Sequence, residues 1–540
     1  MYKAKPEMRI MLAVLLLLFT VFLFLPLLLL FIRSLETGQG FSLANYAAVW
    51  SERDIGASAL NSLKISAATA CLSTVLGFTL AYALHCTRMY KSMKGILRTV
   101  IIIPMLLPTI TYGFAIMYSL GNQGLITRML GRQLFDIYGF NGMLIGYVVY
   151  TLPPAFLLIH NAFKYVDKKF IIVSHLMGDG TFRSFANTIL RPLAGALGGA
   201  FVLSFILSFT DFGIPASVGG TYNVLATQLY EVMLGSIPDM HQGAAISVMM
   251  LAPAVFGIWL LQRLEKLNFH YDNAADTELP HHRVRDSVLA AISIVIVLGM
   301  LSIFAIMFIA PWLNRYPYDT TFTLKHVMSI VQSSDLMKVY ANSLWVALLT
   351  SLLGTAIAYW AALLNVRSSL KIRSSMDTVS MITNTVPGMV LGIAYLLLFN
   401  GSDLKGTFAI LVFCNIVHFF TTPYLMAKNA LSKMNPSWET TGELLGDSWI
   451  KTVYRVIVPN SAATIFDMLG YFFMNAMVTI SGVIFLVSAQ TSVVASKIKE
   501  LQHFAKFNEI FVLSMFIFFT NLLIKLLCDY GQRRMMTKNK

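Results

Sequence analysis

Twelve apolar stretches recur along the chain, at 10–32, 62–84, 99–120, 141–161, 194–215, 243–262, 287–311, 341–364, 378–399, 407–427, 461–487 and 509–527. A helix rises 1.5 Å per residue, so about 20 apolar residues cross a hydrocarbon core of about 30 Å. In that core every backbone N–H and C=O must be paired within the protein, which a helix achieves by itself. The pattern predicts an all-α integral membrane protein of twelve transmembrane helices embedded in a lipid bilayer. Only 12% of the residues are charged, about half the usual share in soluble domains. The net charge of +14 then bears on where basic residues sit along the membrane, and no nucleic-acid partner is expected.

The first stretch follows Lys3, Lys5 and Arg9. It exceeds the apolar core of a signal peptide, about 7–15 residues, and is read as a retained first span. Alternate connections hold 28 of the 40 Lys and Arg residues: 1–9, 85–98, 162–191, 263–286, 365–376, 428–458 and 525–540. Basic residues concentrate on the cytoplasmic side, so both termini are expected there. Cys71, Cys86, Cys414 and Cys528 are scattered without metal-type spacing and are expected to pack as small apolar residues.

The chain repeats internally. Phe41, Leu43, Asn61, Ser62 and Leu63 match Phe322, Leu324, Asn342, Ser343 and Leu344 at one offset, 281. Pro108 and Gly113 match Pro387 and Gly392 at offset 279, and Asn161-Ala162 matches Asn429-Ala430 at 268. The offset falls because the loop near 121–140 is longer than its counterpart near 400–406. Each half carries six stretches, an even number, so the halves share one orientation as a parallel repeat. The expected organisation is a first six-helix domain at 1–262, a polar cytoplasmic linker at 263–286 and a second six-helix domain at 287–540. Asn61 and Asn342 are expected to cap spans, and Gly77 and Gly354 to let helices approach closely. His281-His282 in the linker has no further ligands clustered with it.

Two cytoplasmic connections share an unusual pattern. The first, 161–192, reads NAFKYVDKKFIIVSHLMGDGTFRSFANTILRP, and the second, 429–459, reads NALSKMNPSWETTGELLGDSWIKTVYRVIVP. Each places Gly-Asp near its middle (Gly178-Asp179 and Gly446-Asp447) and closes on a proline, Pro192 or Pro459, after Ile189 or Ile457. The apolar spacing suits two short amphipathic helices around a glycine turn, a form that suggests docking to a partner. These segments resemble the EAA loop of ABC-importer permeases: Glu-Ala-Ala, three residues, Gly, about nine residues, then Ile-x-Leu-Pro. Gly446, Ile457 and Pro459 fit closely; Gly178, Ile189 and Pro192 fit with one extra residue. The acidic end departs from the pattern, with Glu439 one residue early, Glu443 nearer the turn, and Ile-Ile-Val with no glutamate in the first loop.

The whole chain resembles a fused two-domain permease of a binding-protein-dependent, type I ABC importer, within the ferric-iron transport group. SFTDFGIPASVGG (208–220) and NAMVTISGVIFLVSAQTSVVAS (475–496) carry the closer likeness. Related fused permeases are associated with phosphonates, organophosphates and thiamine. The resemblance implies a bacterial plasma-membrane protein and one coupling loop per half for each of two ATP-binding cassette subunits. It also implies an extracytoplasmic solute-binding protein that delivers a small solute. No GxxxxGK[ST], HExxH or GxSxG occurs, so the chain is expected to be no enzyme and to hold no cofactor. ATP and Mg would be bound by the partner ATPase. Candidate path residues are Asp211, Asn415, His418 and Asn475, polar groups within apolar sequence. Each also has an ordinary reading as a turn cap or interhelical hydrogen bond. No metal site is expected in the spans. An ion-coupled secondary transporter with a 6+6 helix repeat is the competing reading.

Overall fold

The computed structural model describes residues 6–38, 40–266, 282–368 and 374–538. Most of the 263–286 linker, His281 included, lies outside the described residues, as do Lys3 and Lys5.

The first half opens with α1 (Pro6–Leu35), a short hairpin of β1 (Glu36–Thr37) and β2 (Gly40–Phe41), and α2 (Ala44–Ser51). There follow α3 (Arg53–Cys86), α4 (Lys91–Ile101), α5 (Thr109–Leu120), α6 (Phe140–Phe163), α7 (Lys169–Leu176), α8 (Thr181–Phe185) and α9 (Arg191–Thr210). It closes with α10 (Gly213–Val218), α11 (Leu225–Leu234) and α12 (Met240–Glu265). The second half runs in the same order: α13 (Arg283–Ile309), a hairpin of β3 (Leu313–Arg315) and β4 (Asp319–Phe322), α14 (Lys325–Gln332) and α15 (Ser334–Arg367). Then come α16 (Ser375–Thr385), α17 (Gly388–Phe399), α18 (Phe408–His418), α19 (Thr421–Ser432), α20 (Ser437–Leu444), α21 (Trp449–Thr452) and α22 (Ala462–Val478). The chain ends in α23 (Val494–His503) and α24 (Phe507–Lys538). The repeat extends to its smallest parts: α3 and α15 are both 34 residues long, and each half has one hairpin in the same place.

Among the described residues eight helices are long and apolar enough to cross a membrane, and up to twelve crossings result if each of four bent pairs counts once. Four of the expected spans are thus not straight rods. The segments through α4–α5 and α16–α17 turn by 106° and 103°. The cause is proline: Leu107 and Val386 precede Pro108 and Pro387 and are extended, as the proline ring excludes helical geometry from the residue before it. The pairs α18–α19 and α21–α22 bend by 56° and 79°, where their first-half counterparts stay continuous.

The chain divides into two packing units that do not follow the sequence order. One comprises Met1–Val49, Glu231–Leu251 and Lys325–Lys540; the other comprises Trp50–Tyr230 and Ala252–Leu324. Each half's first span therefore belongs with the later helices of the other half, while 1–262 and 287–540 describe the repeat in sequence. In the first unit, α1 loosens into a π turn at Thr20–Phe24. The Tyr395 hydroxyl of α17 donates to the Phe22 carbonyl there at 2.6 Å, while Phe22 stacks on Phe413 at 4.3 Å. In the second unit, α13 packs on α5, where Ser119 Oγ donates to the Ile303 carbonyl at 2.8 Å and Phe304 meets Tyr112 edge-on at 5.1 Å.

The Asn-Ser-Leu triplets, expected from sequence to cap spans, instead lie inside α3 and α15. Asn61 Nδ2 donates to the Asn223 carbonyl at 3.1 Å, and Asn342 Nδ2 to those of Gln490 and Ser492 at 3.0 and 3.1 Å. Ser62 Oγ accepts the Leu225 N–H at 2.8 Å, and Ser343 Oγ the Val494 N–H at 2.7 Å. Each pair thus holds the start of the short helix α11 or α23, satisfying an N–H that the helix itself leaves open.

Candidate coupling loops and polar groups within the spans

Both candidate coupling loops are built alike. In the first, α7 is followed two residues on by Gly178 with φ +82°; in the second, α20 is followed two residues on by Gly446 with φ +76°. Left-handed backbone of this kind suits glycine and stops a helix. The next residue turns back in both: the Asp179 N–H bonds the Ser174 carbonyl at 3.1 Å, and the Asp447 N–H the Gly442 carbonyl at 2.9 Å. Each aspartate then pairs with a base four residues on, Asp179 with Arg183 at 3.3 Å and Asp447 with Lys451. Ser174 Oγ also donates to Asp179 at 2.7 Å.

Ile189 and Ile457 are buried within matched π turns, Ala186–Leu190 and Val453–Ile457. Pro192 sits in the first turn of α9, where its missing N–H costs nothing; Pro459 follows the second π turn. Sequence reasoning did not single out the apolar side chains just before each glycine. Leu176 and Met177 are 83% and 80% exposed, and Leu444 and Leu445 are 83% and 78% exposed. Phe182 and Ile450 are exposed at matched positions beyond the turn. The signal was present as Leu-Met-Gly and Leu-Leu-Gly at the 268 offset. In the first loop a groove of 280 Å³ runs between Phe170, Val173, Met177, Thr188 and Pro192.

The two glutamates of the second loop diverge. Glu443 is exposed, whereas Glu439 is buried beside Arg367, the last residue of α15. Arg367 Nη1 donates to Glu439 Oε2 at 3.3 Å, and Nη2 donates to the carbonyls of Leu431 and Met434 at 2.7 and 2.9 Å. Burial pushes the Glu439 carboxyl above the usual carboxylate range, and the Arg367 guanidinium opposes that shift.

The polar groups within the spans differ in how far their bonding is satisfied. Asp211 is buried at the end of α9 and accepts the Ile214 N–H at 2.9 Å, capping α10. Asn475 Nδ2 donates to the Tyr471 carbonyl of its own helix at 2.8 Å. Asn415 Nδ2 and His418 Nδ1 are buried with no hydrogen-bond partner. These two are one turn apart on α18, directly before its break from α19. Repeat spacing pairs them with Tyr147 and Tyr150 of α6. The structure thus leaves Asn415 Nδ2 and His418 Nδ1 without partners on one helix, and holds Asp211 and Asn475 in local bonds. Among the described residues no three His, Cys, Asp or Glu side chains gather as a metal site.

Residues 73–316 and 354–537 match the family described as the inner membrane component of binding-protein-dependent transport systems. The chain is 26% identical over 494 residues to a Haemophilus influenzae protein named as ferric transport system permease FbpB 1, covering 87% of this chain and 77% of that one. It is 25% identical over 508 residues to the ferric transport system permease protein FbpB of Actinobacillus pleuropneumoniae, covering 90% and 73%. The molybdenum transport system permease protein ModB of Azotobacter vinelandii is 28% identical over 190 residues, covering 34% of this chain and 81% of ModB. With the family matched twice and over most of its length, the chain belongs to the inner membrane components of binding-protein-dependent transport systems, as a fused two-domain permease.

Proposed function

We propose that the chain forms the transmembrane path of an ABC importer for ferric iron and couples to separate ATPase subunits through its two glycine-turn loops. The observation that carries this reading is the matched pair of exposed apolar residues before Gly178 and Gly446. Side chains of this size rarely stand that far out of a polar loop unless another surface covers them. Two loops of one design suit two ATP-binding cassette subunits, which would bind the ATP and Mg. A solute-binding protein would deliver the cargo from the opposite side. The chain crosses the membrane twelve times in this reading, each bent pair being one crossing, with both termini cytoplasmic. The ferric cargo rests on the names of the two long relatives, and a phosphonate or organophosphate is the other cargo class. Asn415 and His418 are the path groups with bonding capacity to spare.

The test is uptake of radiolabelled ferric iron into proteoliposomes holding this chain, its ATPase subunits and its binding protein. Uptake is expected to require ATP inside. Uptake that persists without ATP but follows an ion gradient would favour a secondary transporter instead. Burying one leucine is worth about 1.5–3 kcal/mol. Leu444→Asp should therefore weaken retention of the ATPase by about tenfold or more, as measured by co-purification, while the protein stays folded.

A further inference from the structure

Arg367 closes the 34-residue helix α15, and its guanidinium reaches three places at once: Glu439 on α20, and the carbonyls of Leu431 and Met434 at and just beyond the end of α19. Both charged side chains are only 4% exposed. On the far side α20 lies flush against α21, since a Cβ at Gly442 would stand 2.4 Å from Thr452 Oγ1. Buried Trp449 opens α21. The second loop is thus gripped from both ends.

The first half carries different residues at the matching positions. By the repeat, Cys86 stands where Arg367 does and Ile171 where Glu439 does. Cys86 is buried with a free thiol, and a groove borders α7. A forked guanidinium fixes both distance and angle between the groups it holds, which apolar contact does not.

We infer that Arg367 is a positioning residue that joins the second coupling loop to α15 and α19 as one stiff arm, with Glu439 serving inside that strut rather than at the ATPase surface. This rests on the functional reading above. Movement of the ATPase beneath the second loop would then carry α15 and α19 with it. The first loop, with Cys86 and Ile171 at the matching positions, would pass movement on without this arginine strut, so the two halves transmit unequally.

The test uses the complete complex in proteoliposomes, with Arg367→Gln, Arg367→Lys and Glu439→Gln. ATP hydrolysis, solute uptake and the amount of ATPase retained are measured together. The glutamine variants are expected to keep their ATPase subunits and hydrolyse ATP, while solute moved per ATP falls about tenfold. Arg367→Lys, with one compact ammonium in place of the fork, should fall between these and the wild type. Should Arg367→Gln fail to fold, Glu439→Gln decides, because its amide keeps the shape and an acceptor. Two results overturn the inference: unchanged transport per ATP in folded variants, or loss of the ATPase from Glu439→Gln, which would make Glu439 a docking contact. Wild-type uptake that ignores ATP would instead sink the functional reading, a distinguishable outcome.

Discussion

Glycine 392 carries no side chain because backbone occupies the place where one would go. A Cβ there would meet the Gly482 carbonyl oxygen at 2.3 Å, in the segment that returns after α22. A Cβ added at its repeat partner Gly113 would overlap the Ser217 side chain of α10, so both halves press the returning segment onto the helix after the proline bend. At Gly354 the added atom would meet only the edge of the Phe472 ring, at 2.9 Å, and a ring can turn where a backbone cannot. Overpacking typically costs about 1–3 kcal/mol. Gly392→Ala should sit at the upper end or beyond, and Gly354→Ala at the lower end. Thermal unfolding of the purified variants in detergent checks the order, and equal losses would contradict it. The matching of Gly113 to Gly392 was legible from sequence, but the surface each glycine meets was not, because that surface arrives from about a hundred residues further along the chain. The same limit hid Arg367, which in sequence is one more inner-side base.

Short helices after the fifth span of each half show how an element is held in place by two side chains. Asn342 and Ser343 on α15 bind the carbonyls before α23 and its first N–H, and Asn61 and Ser62 do the same for α11. A net hydrogen bond is worth about 0.5–1.5 kcal/mol, and leaving a buried partner unmet costs about 1–3. In Asn342→Ala/Ser343→Ala, amide exchange in α23 is therefore expected to quicken by at least about tenfold while α24 stays protected. Exchange that quickens equally in both helices would point to general loosening. Sequence placed these triplets near the start of a span, where asparagine commonly caps. The helix in fact begins eight residues earlier, so a capping role was replaced by a bond between distant elements. The candidate coupling loops were more legible, since a glycine with positive φ and an aspartate answering it are set within a few residues. Their apolar tips were overlooked because a lone exposed leucine carries little meaning until two halves repeat it.

At the scale of the whole chain, the sequence repeat and the packing units are different divisions of the same helices. The repeat order follows from local hydropathy and matched residues. Which unit a first span joins does not, because α1 and α13 are apolar nearly all round and fit any apolar neighbour. The structure settles it through details such as the bond from Tyr395 to the opened π turn of α1. Residues 282–540 expressed alone should therefore be degraded or aggregate, lacking α1 against α17. Co-expression of 1–281 should restore a soluble complex in detergent, read as co-purification of the two pieces. A stable, monodisperse 282–540 would count against that dependence.

The opened turn in α1 and its tyrosine partner also bear on how such a protein is made. A ribosome releases α1 long before the helices that will receive it exist, so its site is completed only near the end of synthesis. Until then the first span must wait in lipid. One chain guarantees that the span and its late-made site are present in equal number and at high effective concentration. Two separately made halves would have to find each other, and two copies of the same half would compete for the pairing.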